Sequence, residues 1–349
     1  MLSLEETLSE VLTSATQDFA VLKQADGQII FGQGPFQEVA DCPHSGTAFY
    51  VNDFALSDAK PWKIPSKIIK IVEVENSRNS DQLEIEWQDL TPEGFSKIFA
   101  EINEAILKGE IEKSVPVAAE KGTIRSGDVM SLLDSLGGHG DQFYPYAWVQ
   151  GDKGFCGETP ELLFNVRKGR LTTMALAGTA RADERTVFAY DEKEIREHEF
   201  VAQTLVSKLS DIGMVTKSER SILDLGSLVH FHTPIEVFLY GDRNIDSLIK
   251  RLHPTPALGP LPRTEETMQK LIDWRQRLDC PEYFGAPFGV LDNGVFHAVV
   301  TIRGVHWQGE NISVPSGCGV IEASRLVNEW RELALKRNAV KRSFNLTAE

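Results

Sequence analysis

The chain has 349 residues, room for one large or two modest domains, and its 42% hydrophobic and 25% charged content excludes wholesale disorder. Thirty-six basic residues against 51 acidic ones leave a net charge of −15, which disfavours broad attraction to nucleic acid or an anionic membrane but allows a local basic pocket. No apolar run approaches the ~18 residues of a membrane-spanning helix. Four scattered cysteines (Cys42, Cys156, Cys280, Cys318) lack metal or disulfide spacing and point to a reducing, cytoplasmic setting.

Residues 1–20 place Leu2, Leu4, Leu8, Val11 and Leu12 near helical spacing, and their acidic start is unlike a secretory leader. Residues 20–98 read as strand and turn. Ile69 and Ile71 alternate within 67–75, and Leu83, Ile85 and Trp87 repeat at period two. The proline-bearing KPWKIP at 60–65 separates these patches from earlier ones. A helix is predicted over 95–107, stopped at Gly109, where a left-handed cap costs little. Strands are predicted over 142–149, 162–166, 171–176, 223–229, 235–240 and 295–303, and long helices over 192–209 and 324–341. Short strands broken by a few long helices indicate an α+β architecture, not a regular parallel-sheet succession. No repeat, low-complexity linker or composition break marks a domain boundary.

On the middle helix, Glu194, Glu197 and His198 share a face, and the final helix presents Glu329, Glu332 and Lys336 at spacings of three and four. Two readings stay open: solvated acidic faces with ordinary ion pairs, or an oxygen-rich corner. In the second case opposed acids need a cation, and oxygen ligands suit Mg²⁺ better than a soft metal. His230, His232 and His253 lack zinc spacing, and no H-E-x-x-H surrounds His198. Glycines in SGCGV at 316–320 could let backbone N–H groups cradle an anion, or serve packing alone. Arg303 closes an alternating strand on the parity of His297, Val299 and Thr301, as a carboxylate clamp or a surface arginine. LAGTAR at 176–181 reads as a turn, GETPE at 157–161 leaves Glu161 at an element edge, and Lys113 follows the turn at Gly109. These spacings alone name no reaction.

Their succession says more. GEIEK (109–113), GETPELLF (157–164), ALAGTAR (175–181), EKEIREHEFV (192–201), HFHTPI (230–235), LHPTPALG (252–259), YFGAPFG (283–289), TIRG (301–304) and SGCGVIEASRLVNEWREL (316–333) occur in that order. In this the chain resembles the chorismate-utilising enzymes, which include isochorismate, salicylate, anthranilate and aminodeoxychorismate synthases. The resemblance is strong over 95–341, the catalytic region, and looser over a divergent 1–94, the whole forming one compact unit. It implies a layered α+β fold of antiparallel sheets with flanking helices and a central cleft, and a Mg²⁺-dependent site. Carried over residue by residue, it makes Lys113 the base that activates water and Glu161 the general acid. It makes Glu197 and Glu332 the Mg²⁺ ligands. It assigns substrate contact to Ala177, Gly178, Thr179, His230, Thr233, Arg303, Gly317, Cys318, Gly319 and Lys336.

The implied reaction is chorismate plus water giving isochorismate and water. A lysine near its usual ~10.4 and a glutamate near ~4.3 carry the wrong charge for these roles, so burial is required of both. Lys113 stands where ammonia-using members carry glutamine, and Ala177 replaces the lysine of the aminodeoxychorismate branch's P-I-K-G-T. Salicylate synthases share the Lys/Glu pair, and a non-catalytic chorismate-binding relative is a further alternative. Pro116 and Ala118 depart from the family's K-V-V-L-x-R segment, Pro260 replaces a glycine, and Cys318 replaces an alanine. With water as nucleophile no glutamine amidotransferase partner is expected, and the family-based expectation is a monomer. The sequence does not choose between menaquinone, phylloquinone and siderophore routes.

Overall fold

A computed structural model describes residues 18–71, 83–138 and 140–346. Nineteen strands and six α-helices, numbered in chain order, are found among them. One nine-stranded sheet runs β6 (Lys67–Ile71), β2 (Ile29–Gln33), β1 (Phe19–Lys23), β9 (Tyr144–Gln150), β10 (Lys153–Thr159), β18 (Gly304–Gln308), β19 (Asn311–Gly317), β8 (Val117–Ser126), β7 (Glu84–Trp87). The second runs β13 (Gly213–Lys217), β15 (Leu228–Leu239), β12 (Arg170–Arg181), β11 (Leu162–Arg167), β17 (Val295–Val300), β16 (Pro287–Asp292), β4 (Thr47–Val51), β5 (Trp62–Ile64), β3 (Gln37–Val39), with β14 (Ser221–Asp224) beside β15. Neighbouring strands are antiparallel throughout, as in β10 on β18 and β11 on β17.

Period-two alternation explains the layering. On β1, Ala20 and Leu22 face Phe49, Phe288 and Val299 of the other sheet, while Phe19 and Val21 enter a separate core with Val314, Val340 and Phe344. Both faces are buried, so the strand reads as an unbroken apolar run. The helices are α1 (Glu93–Leu107), α2 (Arg185–Phe188), α3 (Glu192–Leu209), α4 (Ile245–Leu252), α5 (Glu265–Arg277) and α6 (Leu326–Ser343). Val201, Ala202, Leu205 and Leu209 of α3 pack into the core of the second sheet. Leu333 of α6 packs against Phe95, Ile98 and Ile102 of α1.

Helices α1, α3 and α6 fall where periodicity predicts them. Residues 1–17 of the expected first helix, and 72–75 of the expected strand, lie outside the described residues; Phe19 and Ala20 belong to β1. Four local expectations are corrected. KPWKIP is not simply a separator: it carries β5, whose Trp62 is fully buried against Tyr50. LAGTAR is not a turn but the end of β12, with a break in register between Ala177 and Ala180 where Gly178 adopts φ +76°. The strand expected over 223–229 is divided by a turn into β14 and β15, and β15 absorbs the strand expected from 235. Arg303 does not close a strand: β17 ends at Val300, and Arg303 turns away at φ +59°.

That last correction locates the important junction. The chain crosses from the first sheet to the second between β10 and β11, through Pro160 and Glu161, and back between β17 and β18, through residues 301–303. The crossings are tied together. Val300 N–H donates to the Glu161 carbonyl at 3.1 Å, and Glu158 N–H donates to the Arg303 carbonyl at 3.2 Å.

Candidate active site

Glu161 is 3% exposed at its crossing and accepts a hydrogen bond on Oε1 from the Thr255 hydroxyl at 2.8 Å. Burial pushes its carboxyl up to about 7, against the Thr255 bond and the charges of Lys113, Lys336 and Arg303. On the other crossing, the Arg303 guanidinium donates to Nε2 of His230 at 2.7 Å. A guanidinium only donates, so the His230 proton sits on Nδ1, which donates to the Gly178 carbonyl at 2.7 Å. The ring is therefore neutral, and burial, with Arg303 and Lys336 nearby, holds it well below the usual histidine range. Burial also lowers Arg303, to about 10, against the pull of Glu332 and Glu161. His253 donates from Nε2 to the Phe54 carbonyl at 2.8 Å, an ordinary core histidine.

The acids of α3 and α6 are not solvated faces: Glu194, Glu197 and Glu329 are 8%, 6% and 1% exposed. Asp191 caps α3 by accepting from Glu194 N–H at 3.1 Å, which fixes the rotation that turns Glu194 and Glu197 inward. Lys113, fully buried and held in place by an isolated bridge to Leu261, donates to the Pro256 carbonyl at 3.0 Å and pairs with Glu197 at 3.2 Å. Burial would raise Glu197, but Lys113, Lys193 and Lys336 together hold it below the usual carboxylate range. Lys336 pairs with Glu332 at 2.6 Å and donates to the Gly317 carbonyl at 2.9 Å. Lys193 lies 2.8 Å from Glu194 and 3.2 Å from Glu329. Burial and the Glu197 charge push Glu194 up to about 7; burial and Glu332 do the same to Glu329.

Several of these groups line a cavity partly open to solvent. Of the predicted site residues, Glu161, Ala177, Gly178, Thr179, Glu197, His230, Arg303, Gly317, Gly319, Glu332 and Lys336 line it. Lys113, Thr233 and Cys318 do not. Lys113 lies behind Glu197 and Gly319: a Cβ on Gly319 would collide with Glu197 Oε1 and sit 3.0 Å from Lys113 Cε. Thr233 bonds His198 Nε2 at 2.9 Å, and the Cys318 N–H is engaged by the Pro116 carbonyl at 3.3 Å.

The family model described as chorismate binding enzyme matches residues 52–345. This chain belongs to that family. It is 31% identical over 208 residues to isochorismate synthase MenF of Bacillus subtilis, covering 55% of this chain and 43% of that protein. Against isochorismate synthase EntC of Escherichia coli K12 it is 28% identical over 258 residues, covering 70% and 63%. The matched stretch thus spans about half the length of these curated relatives. The solved menaquinone-specific isochorismate synthase of Escherichia coli superposes with a TM-score of 0.81 over 98% of this chain and 92% of that one, at 17% identity. At that identity the likeness is one of fold. Anthranilate synthase component I of Streptococcus pneumoniae shares it at a TM-score of 0.67 and 14% identity, over 92% and 89% of the two chains.

Within this family member, sequence reasoning missed Thr255 and Lys193. Both stand inside quoted segments, LHPTPALG and EKEIREHEFV, but only packing shows what they touch. No three His, Cys, Asp or Glu side chains form a ready metal-binding group among the described residues. Glu197 and Glu332 share one cavity wall, each with a lysine ammonium beside it. Glu329, 1% exposed, has no hydrogen-bond partner on either oxygen. A buried carboxylate with no hydrogen bond and only a shared ammonium, among three others that are all hard oxygen donors, fits a divalent cation such as Mg²⁺.

Proposed function

We propose that the chain is an isochorismate synthase, adding water at C2 of chorismate and releasing the C4 hydroxyl. Glu161 carries this proposal: a carboxyl walled into a sheet crossing, raised to about 7, on the same cavity as two anchored cations. A carboxyl that keeps a proton near neutral pH can protonate a departing hydroxyl, a role worth about 10²–10⁴-fold in rate. Arg303 and Lys336 offer charge-assisted donors to the carboxylates of a small diacid, and His230 holds the guanidinium in place. The open register at Gly178 and Thr179 leaves backbone beside the ring without a side chain to displace it.

Lys113 is the group proposed to take a proton from water. The water oxygen bonds C2, the ring double bonds shift, and the C4–O bond breaks as Glu161 delivers its proton. To act as a base, Lys113 must part from Glu197, its partner at 3.2 Å. Glu197 and Glu332 would hold Mg²⁺, with Glu194 and Glu329 behind them. Bound there, the ion would neutralise a substrate carboxylate and the surplus acid charge. Two relatives named as isochorismate synthases support the same reading. We further propose that the enzyme acts as a monomer in the cytoplasm without an amidotransferase subunit.

Product-resolved chromatography of chorismate incubated with the chain and Mg²⁺ tests the proposal, with isochorismate as the expected single product. Salicylate with pyruvate would assign a salicylate synthase, and binding without turnover a non-catalytic relative. An amino product on adding ammonia would refute the choice of nucleophile.

A further inference from the structure

We infer that Lys193 is a tethered stand-in for the divalent ion: its ammonium draws the carboxylates of α3 and α6 together in the metal-free protein and is expelled into the outer cleft when the ion binds. The inference rests on the magnesium proposal above. Lys193 Nζ lies 2.8 Å from Glu194, 3.2 Å from Glu329 and 3.9 Å from Glu197, so one ammonium serves three acids on two helices. It serves them incompletely. Glu329 is 1% exposed, and its 3.2 Å contact with the shared Lys193 ammonium is an ion pair without a hydrogen bond. A buried carboxylate in that condition awaits a better cation.

Lys193 also borders open space into which its ammonium can withdraw. An outer cleft lined by Asp191, Lys193, Asn328 and Glu329 meets the inner cavity at Thr179 and Glu332, and Lys193 lies on the outer side of that shared wall. Its side chain is 23% exposed, on the first turn of α3 just past the Asp191 cap, and a flexible four-carbon stem lets the ammonium leave without moving the helix. An ammonium and a divalent ion within about 4 Å, bound to the same acids, repel each other strongly away from bulk water. Both cannot stay.

The test uses the full wild-type chain. Lysine acylation by acetic anhydride, read by peptide mass spectrometry, is compared in EDTA and in saturating Mg²⁺, with Mg²⁺ binding measured in parallel by calorimetry. Lys193 is expected to acylate about tenfold faster with Mg²⁺, while exposed Lys168 and Lys250 do not change. Mg²⁺ binding with Lys193 still protected overturns the inference and leaves the metal proposal standing; no Mg²⁺ binding removes both. K193M gives an independent readout. It should bind Mg²⁺ roughly tenfold tighter, about 1.4 kcal/mol, and melt below the wild type in EDTA but not in Mg²⁺. If K193M folds only with Mg²⁺ present, the inference is supported. An equal loss of stability with and without Mg²⁺, or a failure to fold in both, marks an ordinary structural ion pair and overturns it.

Discussion

The two walls of the cavity are built on opposite plans. At the sheet crossings Glu161 and Arg303 each have a fixed partner: Glu161 has Thr255, and Arg303 has the neutral His230, itself held by the Gly178 carbonyl. Between α3 and α6, four glutamates share too few cations, and buried Glu329 has only a share of the Lys193 ammonium. The first wall is complete as it folds and so can impose a geometry. The second stores unfavourable like-charge contact, which its lysines offset in part and which a proton or a further cation relieves.

Substitutions on each wall should therefore fail differently. The largest effect is expected on the finished wall: E161Q should lower kcat for chorismate by about 10²–10⁴-fold, measured by isochorismate formation at saturating Mg²⁺. Its stability should move the other way. Glu161 is raised in the folded state, so its contribution is full below the unfolded value near 4.5 and is lost as pH rises through about 7. E161Q should thus match the wild type in denaturant melts at low pH and exceed it above pH 7. A stability deficit at pH 8 would mean the carboxylate is held by contacts not recognised above.

Next comes the junction between the walls. In G319A the added methyl must displace the Glu197 carboxylate from its place beside Lys113. Mg²⁺ affinity by calorimetry should fall roughly 10–100-fold. Unchanged affinity would show that Glu197 is not a ligand. On the unfinished wall, E329Q should stabilise the metal-free protein at pH 8 by about 1–3 kcal/mol, because burial and Glu332 disfavour this carboxylate more than its Lys193 contact favours it. Glu329 is also raised to about 7, so the gain should shrink as pH falls from about 7 toward 4.5, where the wild type is itself protonated. The smallest effect is expected at Thr255. Activity should fall as pH rises through about 7 and Glu161 loses its proton; T255V removes a bond that favours the ionised form. The falling limb of kcat should move upward by a few tenths to about one pH unit. A downward shift would reverse the assigned role of the hydroxyl.

The same division governs what could be read in the residues. Helix α3 was legible because its signals are local: Asp191 supplies the cap, and Val201, Ala202, Leu205 and Leu209 recur at helical spacing. Glu197 could thus be placed on a face, but whether water or α6 lay opposite required the position of Glu329, 132 residues on. The crossings were less legible still. Arg303 shares the parity of its strand and then leaves it, because β17 and β18 belong to different sheets, a fact set by pairing with β11 and β10. LAGTAR has the composition of a turn, yet its glycine relaxes a break in a ladder that continues on both sides. Lys193 reads as one more helix-surface lysine until three acids are seen around its ammonium. The order of motifs supplied the family; long-range pairing supplied the partners.

The paired backbone bonds at the crossings, Val300 to Glu161 and Glu158 to Arg303, have one further consequence. They make the distance from Glu161 to Arg303 a property of two large interlocked β-layers. Loops outside the layers can therefore lengthen, shorten or change charge without altering the spacing of these two side chains.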